Sequence, residues 1–288
     1  MIQEQKLQIR EALLRYVSSF ASQGLAARSL EGVSSSMITK LRNYELDAVG
    51  DAVWLLLARQ VGFYCGEWHA ADTSTYMLLR ILFADAKHYA MVYGIAIERG
   101  LGKTFSARMY CREHANTYYM ACTEGHNRKS FISELAKNFA DDVPDKVPGM
   151  MQLVCDNMSR QDEPLLIIDD AHKLKDRVLH FVISLTDCLM GLCGVVIMGN
   201  DDLRRRIVEG VQQNKEGFET VYKMIGRRFV SLGQVGPNDA ELICLANDVK
   251  DENRIGYIKE QCKNSLHPIA GLIQEIRLQG DMQDSLAA

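Results

Sequence analysis

The five residues Gly100-Leu-Gly102-Lys103-Thr104 have the types and spacing that can hold a phosphate group. The two glycines let backbone N–H groups turn toward an anion with no Cβ in the way, and the last two residues supply an ammonium and a hydroxyl. A phosphate-binding loop ends in this way, and its first glycine belongs at the position that Ile97 holds here. The sequence therefore predicts a nucleotide phosphate site, with one departure from the usual spacing.

The elements on either side of this loop should position its groups. An apolar run at 89–97 predicts a strand before the loop, and residues 105–112 predict a helix after it, whose N-terminus favours anions. The Lys103 ammonium is expected to reach the β- and γ-phosphates of a nucleoside triphosphate, and the Thr104 hydroxyl to ligate Mg²⁺. An ordinary glycine-rich turn is the alternative. The expected nucleotide contacts are Glu98, Arg99, Gly100, Leu101, Gly102, Lys103, Thr104 and Phe105.

A second group of polar residues follows the apolar run Leu165-Leu-Ile-Ile. This run predicts a buried strand that ends in Asp169 and Asp170. Asp169 is expected to hold Mg²⁺ through water, so that Thr104 and Asp169 form the predicted metal site. Asp170 takes the catalytic position that orients the attacking water, where hydrolytic proteins usually carry the longer glutamate. Because the placement of a nucleophile matters at the ångström level, we expect slow hydrolysis. A solvated strand end with two acids is the alternative.

Two further polar positions lie near the ends of apolar runs. Asn200 follows the run at 194–198 and is expected to sense the γ-phosphate, although an asparagine before Asp201 can equally cap a helix. Arg227 and Arg228 precede the last apolar run. An arginine there can reach the γ-phosphate of a neighbouring subunit and stabilise charge in the transition state. A surface ion pair is the alternative for these arginines.

The hydrophobic pattern places these groups in an α/β core between two helical segments. Residues 1–70 show helical spacing, residues 76–235 alternate between strand and helix patterns, and residues 236–288 are helical with a short tail. Strands that alternate with helices indicate a parallel sheet covered on both faces. The predicted strands are 89–97, 117–122, 165–169, 194–198 and 229–235.

Composition and charge narrow the class of protein. The chain is 47% hydrophobic and 24% charged, which is typical of globular proteins, and its net charge of −4 provides no overall attraction to nucleic acid. The eight cysteines form no Cys-x-x-Cys pair, which argues against zinc. Cys122, Cys155, Cys193 and Cys244 lie in apolar runs and are expected to be reduced core thiols. No signal-peptide pattern or membrane-length apolar run is evident, so we expect a cytoplasmic protein without membrane contact.

The stretch from Gln23 to Leu41 resembles a repressor-type helix-turn-helix. Gly32 is expected to form the turn, Val33 to pack between the helices and Ser34 to cap the second helix. A small helical bundle that contacts proteins is the alternative, and nearby acidic residues argue against high affinity for one DNA sequence. The side chains expected to face a DNA groove or phosphates are Ser35, Ser36, Thr39 and Lys40.

The order of these parts resembles the AAA+ ATPases, and the helical start and end resemble their transposition-regulator branch, of the phage Mu B and TnsC type. The resemblance covers nearly the whole chain. It implies an AAA+ P-loop core with a parallel five-stranded sheet, an N-terminal helix-turn-helix domain and a small C-terminal helical lid. It also implies ATP and Mg²⁺ as cofactors. The implied protein forms a homo-oligomer, as a ring or filament on duplex DNA, and presents target sites to a transposase.

The resemblance also implies roles for individual residues. Lys103 and Thr104 match the phosphate-loop lysine and threonine, and Asp169 matches the metal-linked aspartate. The other matches are Asp170 at the catalytic glutamate position, Asn200 as sensor 1, and Arg228 as the arginine finger with Arg227 as its rival. The loop after the second strand lines the DNA side of the ring in this family, so Arg128 and Lys129 are candidate phosphate contacts. Two basic loop residues that serve solubility alone are the alternative. The run Arg204-Arg205-Arg206 is assigned to a solvated face or a subunit contact.

Three departures from the family pattern bear on turnover more than on binding. Ile97 replaces the first loop glycine, Asp170 replaces glutamate, and the helix expected at 265–277 lacks an arginine near its start. Two alternatives stay open beside the transposition regulator. One is a nucleotide-gated DNA-binding regulator with little hydrolysis, and the other is a helicase-loader-like ATPase. A P-loop metabolite kinase is less well supported, since it leaves Asn200 and Arg228 without a role.

Overall fold

The computed structural model describes residues 3–277, apart from positions 19, 21, 31, 62–67, 226–228 and 233. The chain divides into two compact units. One unit is Asp72–Gly236, and the other combines Met1–Ala71 with Pro237–Ala288. Both helical ends of the chain therefore belong to the same unit. The three-domain division at 1–70, 76–235 and 236–288 stays a prediction.

The unit Asp72–Gly236 contains one parallel five-stranded sheet with the strand order β2-β3-β4-β1-β5. The prediction of an α/β fold with a parallel five-stranded sheet is confirmed. The strands are β1 (Val92–Ile97), β2 (Thr117–Ala121), β3 (Leu165–Asp169), β4 (Gly194–Gly199) and β5 (Phe229–Leu232). The helices of this unit are α5 (Ser74–Tyr89), α6 (Lys103–Glu113), α7 (Arg128–Ala136), α8 (Val147–Ser159), α9 (Asp176–Leu189), α10 (Asp201–Gln212) and α11 (Phe218–Ile225).

Two hydrophobic clusters cover the two faces of this sheet. Alternate residues of a strand point to opposite faces, so the buried strands β3 and β4 feed both clusters. Helices α5 and α6 cover one face, and α7 to α11 cover the other. This three-layer packing exposes the carboxyl ends of the strands along one edge, where parallel α/β sheets bind ligands.

The first strand is shorter than the sequence predicts. Residues 89 and 90 belong to the end of α5, where Ala90 adopts a left-handed conformation with φ 48° as the C-cap. The apolar side chains there fit a strand pattern, but the helix continues to Tyr89 and its last turn is followed by β1 at Val92. The predicted start of this strand at residue 89 is therefore wrong by three positions.

The helical start of the chain forms its own hydrophobic cluster. Its helices are α1 (Gln3–Ser18), α2 (Gln23–Arg28), α3 (Ser35–Arg42) and α4 (Asp51–Gln60), with a 3-10 turn at Leu46–Ala48. Gly32 has φ 67°, Val33 is buried, and the Ser34 hydroxyl accepts a hydrogen bond from the Met37 N–H, as predicted for a turn and a capped helix. The Gln23 side chain ties α2 to α3 through Ser35 and Thr39.

The helical end of the chain contains α12 (Asp239–Ala246), α13 (Glu252–Gln261) and a helical stretch at 269–277. The last helix therefore begins later than the predicted position 265, directly after Pro268. Proline is favoured at helix starts because N–H groups there have no partner within the helix, so the missing N–H costs nothing. The buried Asn247 side chain accepts a hydrogen bond from the N–H of His69 (3.1 Å) and donates one to its carbonyl (3.0 Å). These bonds join the two ends of the chain within their unit.

The cysteines differ from the prediction at one position. Cys155 of α8 and Cys188 of α9 form a disulfide with a Cα–Cα distance of 6.6 Å, so the expectation of a reduced Cys155 is wrong. Cys122, Cys193 and Cys244 are free and buried, as expected. Among the helices in the described part of the chain, none is both long and apolar enough to cross a membrane.

Candidate nucleotide-binding site

The glycine-rich loop lies between the carboxyl end of β1 and the start of α6. Gly100 (φ 78°) and Gly102 (φ 85°) both adopt the left-handed conformation that favours glycine, and Gly102 is the N-cap of α6. The helix begins at Lys103, two residues before the predicted start. The N-terminal N–H groups of α6 therefore follow the loop directly, which is the arrangement that binds anions at helix N-termini.

Ile97, which replaces the usual first glycine, is the last residue of β1 and is fully buried. Its side chain belongs to the cluster that α5 and α6 form with the sheet, and its backbone pairs with Leu232 of β5. Leu101 is buried in the same cluster. These apolar side chains anchor the loop at two points, while Glu98 is half-buried and Arg99 and Phe105 are exposed. The departure at Ile97 therefore contributes to the packing of the core.

Lys103 is the buried cation of the loop, with 7% of its surface exposed. Its ammonium donates hydrogen bonds to the carbonyls of Ile97 (2.6 Å) and Glu98 (3.0 Å). Burial lowers the pKa of Lys103, and the nearby carboxylates of Asp169 and Asp170 oppose this shift. The ammonium is thus held beside the loop by two neutral acceptors, which a phosphate oxygen can replace with a stronger, charge-assisted bond.

Asp169 and Thr104 meet at the edge of the sheet, as predicted for a metal site. Asp169 is 1% exposed at the end of β3, and its Oδ2 accepts a hydrogen bond from the Thr104 hydroxyl at 2.6 Å. A hydroxyl and a carboxylate at the phosphate loop are the ligand types that Mg²⁺ uses beside nucleotide phosphates. The described residues contain no cluster of three His, Cys, Asp or Glu side chains able to hold a metal by themselves. These two protein ligands fit an ion whose remaining ligands are phosphate and water oxygens.

Tyr119 is a member of this site that the sequence patterns do not indicate. It lies on β2, and its hydroxyl donates to Asp169 Oδ2 at 3.0 Å, while the Arg108 guanidinium lies 5.3 Å from its ring centroid. Burial, followed by the charge of Asp169, raises the pKa of Tyr119 to about 12. The phenol therefore stays protonated and donates to the carboxylate. Only the pairing of β2 with β3 brings this tyrosine to Asp169.

Asp170 follows β3 in a left-handed conformation with φ 57°, which is uncommon for a residue with a side chain. It is the N-cap residue of the 3-10 turn at Ala171–Lys173. The Asp170 N–H donates to Asp169 Oδ1 at 2.8 Å, and its Oδ2 accepts from the Lys173 ammonium at 2.6 Å. His172 Nδ1 lies 4.0 Å from Asp170 Oδ1, and burial lowers the pKa of His172. Lys173 is thus the closest cation to the predicted catalytic carboxylate.

Asn200 directly follows β4 and is 5% exposed. It occupies the N-cap position of α10, but its side chain makes no capping hydrogen bond. Its amide Nδ2 donates to Asp202 at 2.8 Å, and its Oδ1 is covered without a hydrogen-bond partner among the described residues. A covered amide oxygen without a donor has binding capacity left, which is compatible with the predicted sensor.

Arg227 and Arg228 lie outside the described residues. The structure describes the chain up to the end of α11 at Ile225 and again from the start of β5 at Phe229. Their assignment as the arginine finger and its rival stays a prediction.

Arg206 of α10 differs from its two neighbours and from the expectation of a solvated face or subunit contact. Arg204 and Arg205 are exposed, as expected, but Arg206 is partly buried beneath the turn that follows Asp170. Its Nη1 donates to the carbonyls of Leu174 (2.8 Å) and His172 (3.2 Å). Its Nε lies 3.7 Å from Asp176 Oδ1, and burial lowers the pKa of Arg206. Helical periodicity can place Arg206 on an inner face, but the carbonyls that it contacts are not visible in a sequence.

A cleft of about 410 Å³ lies next to these groups. Four lysine and arginine residues and one acid contribute to its lining, so its surface is predominantly cationic. The lining residues are Arg99, Glu124, His172, Lys173, Leu174, Lys175 and Arg206.

The predicted DNA contacts are exposed side chains in two places. Arg128 and Lys129 form the first turn of α7 instead of a loop, which corrects that part of the prediction. Two cations at a helix N-terminus oppose the helix dipole, so helix stability does not explain them. In the other unit, the predicted contacts all lie on α3 and are exposed. They are Ser35, Ser36, Thr39 and Lys40.

Comparison with known proteins places one part of the chain. Residues 87–207 match the family model described as AAA domain. The structure is also similar to a crystal structure described as a DNA replication initiation factor, with 13% identity and a TM-score of 0.42. That match covers 73% of this chain and 64% of the other, so this chain spans less than two thirds of that protein's length. No curated protein matches the sequence. The segment 87–207, which contains the glycine-rich loop and strands β1 to β4, is therefore the part of the chain that is similar to an AAA domain.

Proposed function

We propose that this protein binds ATP with Mg²⁺ at the loop 98–105 and hydrolyses it slowly. The observation that carries this proposal is the hydrogen bond from the Thr104 hydroxyl to the Asp169 carboxylate at 2.6 Å, next to the buried Lys103. Asp170 directly follows Asp169 in the chain. A phosphate ligand, a metal ligand pair and a carboxylate for the attacking water are the parts that phosphoryl transfer needs. They come from two distant segments, 103–104 and 169–170, and the fold brings both to one edge of the sheet.

Each residue has a defined task in this mechanism. Lys103 exchanges its two backbone carbonyls for phosphate oxygens, and the loop N–H groups of Gly100 and Gly102 surround the same phosphates. Thr104 and Asp169 would hold Mg²⁺, which would neutralise charge that develops on the phosphates. Tyr119 keeps the Asp169 carboxylate in place through its hydrogen bond. Asp170 accepts a hydrogen bond from the attacking water once it leaves Lys173.

We further propose that the protein works as an oligomeric, DNA-binding transposition regulator that presents target sites to a transposase. The order of the motifs, the helical segments before and after the AAA domain, and the exposed cations of α7 support this reading. In the assembled form, Arg228 or Arg227 of one subunit would reach the nucleotide of the next. The helices α2 and α3 would contact duplex DNA through the side chains at 35, 36, 39 and 40.

Electron micrographs and DNA-binding titrations with three nucleotide states test this function. The protein is mixed with duplex DNA and either ATP, a slowly hydrolysed ATP analogue or ADP. Rings or filaments on DNA are expected with ATP and the analogue, and their loss is expected with ADP. Monomers that bind no DNA in all three states would refute the proposal.

Replacing both Arg128 and Lys129 by alanine is expected to weaken binding to duplex DNA about equally for all sequences. Each phosphate contact that is lost should lower the slope of log affinity against log salt by about 1, and the double variant by about 2. The matched control is the double variant Lys137→Ala, Lys146→Ala, which removes the same two positive charges from exposed positions. An unchanged salt slope in the Arg128→Ala, Lys129→Ala variant would exclude α7 from the DNA contact.

A nucleotide-gated regulator with little hydrolysis is the second candidate, and one contact favours it. The Asp170 carboxylate is bonded to Lys173 at 2.6 Å, so an exposed ion pair competes with water for the catalytic group. Exposed ion pairs contribute little stability, so the γ-phosphate of ATP can draw Lys173 away from Asp170. Steady-state hydrolysis with and without duplex DNA separates the two candidates. No turnover in either condition, together with ATP-dependent DNA binding, would select the gated regulator.

A further inference from the structure

The turn after β3 carries a residue in an unfavourable backbone conformation that must be held in place. Asp170 has φ 57°, and non-glycine residues remain in such regions only where surrounding contacts fix them. The Lys173 N–H donates to the Asp170 carbonyl at 2.9 Å, and the Leu174 N–H donates to the Ala171 carbonyl at 3.2 Å. These bonds close the turn from inside but do not attach it to a neighbouring element.

Arg206 supplies an attachment from a different element. Its Nη1 donates to the carbonyls of His172 and Leu174, which lie within and directly after the tight turn. Arg206 is one and a half turns along α10, the helix that starts directly after Asn200. One guanidinium therefore links the helix that follows the predicted sensor to the turn that begins at the predicted catalytic carboxylate.

The burial of the Arg206 guanidinium lowers stability, which indicates that its contacts with the turn serve another purpose. The Arg206 Nε and Nη2 atoms are covered without a hydrogen-bond partner among the described residues, and Asp176 is 3.7 Å from Nε. A guanidinium that loses water without filling its donors reduces stability, whereas the exposed Arg204 on the same helix avoids this loss. Among the described residues, the hydrogen bonds of Arg206 go to the turn and its ion pair goes to the start of α9.

We propose that Arg206 is a positioning residue for hydrolysis: it holds the turn at 171–174 so that Asp170 keeps its left-handed conformation at the edge of the sheet. This inference rests on the proposed ATPase function for its effect on turnover, but not for its effect on the turn. A displacement of the catalytic group by about 1 Å can lower the rate by about 100-fold. The backbone conformation of Asp170, rather than its charge, is what Arg206 controls.

The test compares Arg206→Met with the matched control Arg204→Met in the full-length protein. Deuterium uptake of the backbone at 170–175 is measured by mass spectrometry, together with kcat, KM and the affinity for an ATP analogue. Arg206→Met is expected to raise uptake locally at this turn and to lower kcat by about tenfold or more, within the range that small displacements of a catalytic group produce. The analogue should bind within about threefold of wild type, because Lys103 and Thr104 are unchanged. Arg204→Met should match wild type in every measurement.

Several outcomes decide the inference. Unchanged uptake at 170–175 in Arg206→Met would overturn it, and so would a rise in uptake across the whole domain, which indicates a merely structural role. If Arg206→Met does not fold, Arg206→Lys is used, since it keeps the charge but loses the planar fork. The same local increase is then expected at a smaller size, and no increase contradicts the inference. A wild-type protein that hydrolyses no ATP would refute the proposed turnover, while the uptake measurement still decides the role of Arg206.

Discussion

Replacing Lys103 by methionine is expected to weaken the binding of ATP by about 100-fold or more. The buried ammonium is the cation that the loop presents to the phosphates, and hydrogen bonds to charged groups contribute about 1.5–3 kcal/mol each. Loss of two such bonds amounts to about 3 kcal/mol, and about 1.4 kcal/mol corresponds to a tenfold change in affinity. Methionine keeps the apolar stem of the side chain in its buried position. Titration with a fluorescent ATP analogue in the presence of Mg²⁺ measures the effect.

Lys215→Met is the matched control, because Lys215 is an exposed lysine in the same unit and distant in sequence from the loop. It should bind the analogue like wild type. Lys103→Met also removes the bonds to the carbonyls of Ile97 and Glu98, so thermal unfolding is recorded for both variants. A folded Lys103→Met protein with wild-type affinity for ATP would show that the nucleotide binds elsewhere.

Replacing Asp170 by asparagine is expected to lower kcat for ATP hydrolysis by about 100-fold or more, with ATP affinity unchanged or higher. The amide has the shape of the carboxylate but cannot take a proton from the attacking water, and a general base contributes about 100- to 10,000-fold. Asparagine also tolerates the left-handed conformation that this position requires. Removal of a negative charge near the phosphates does not oppose binding. Release of inorganic phosphate at saturating ATP measures kcat.

Asp187→Asn makes the same chemical change on the exposed surface of α9 and should hydrolyse ATP like wild type. Asp170→Asn with undiminished turnover would show that another group orients the water, and His172 would then be the first residue to test, since its Nδ1 is 4.0 Å from this carboxylate. Loss of binding together with turnover would assign Asp170 to the nucleotide or metal contacts instead.

The sequence predicts the central sheet well because burial and strand pattern coincide there. The run 165–169 is buried throughout and has the predicted bounds, and Asp169 lies at its end. The glycines at 100 and 102 have the positive φ that the loop spacing predicts. Such features depend on neighbours in the chain or on simple alternation, so a single sequence contains them.

The details of the site depend on contacts between distant segments, which a single sequence does not specify. The pairing of β2 with β3 brings Tyr119 to Asp169, and the packing of α10 brings Arg206 to a turn more than thirty residues earlier. Ile97 shows the opposite case. Its departure from the loop spacing suggests a defect, but the side chain packs in the core and its carbonyl holds Lys103.

The double hydrogen bond between Asn247 and His69 has a mechanical consequence. A side-chain amide that bonds both the N–H and the carbonyl of one residue fixes the orientation of that residue as well as its distance. Asn247 is the C-cap of α12, so a rotation of α12 applies a torque to the backbone at residue 69 directly. Motion at the C-terminal helices therefore reaches the residues just before the unit Asp72–Gly236 without passing through that unit along the chain.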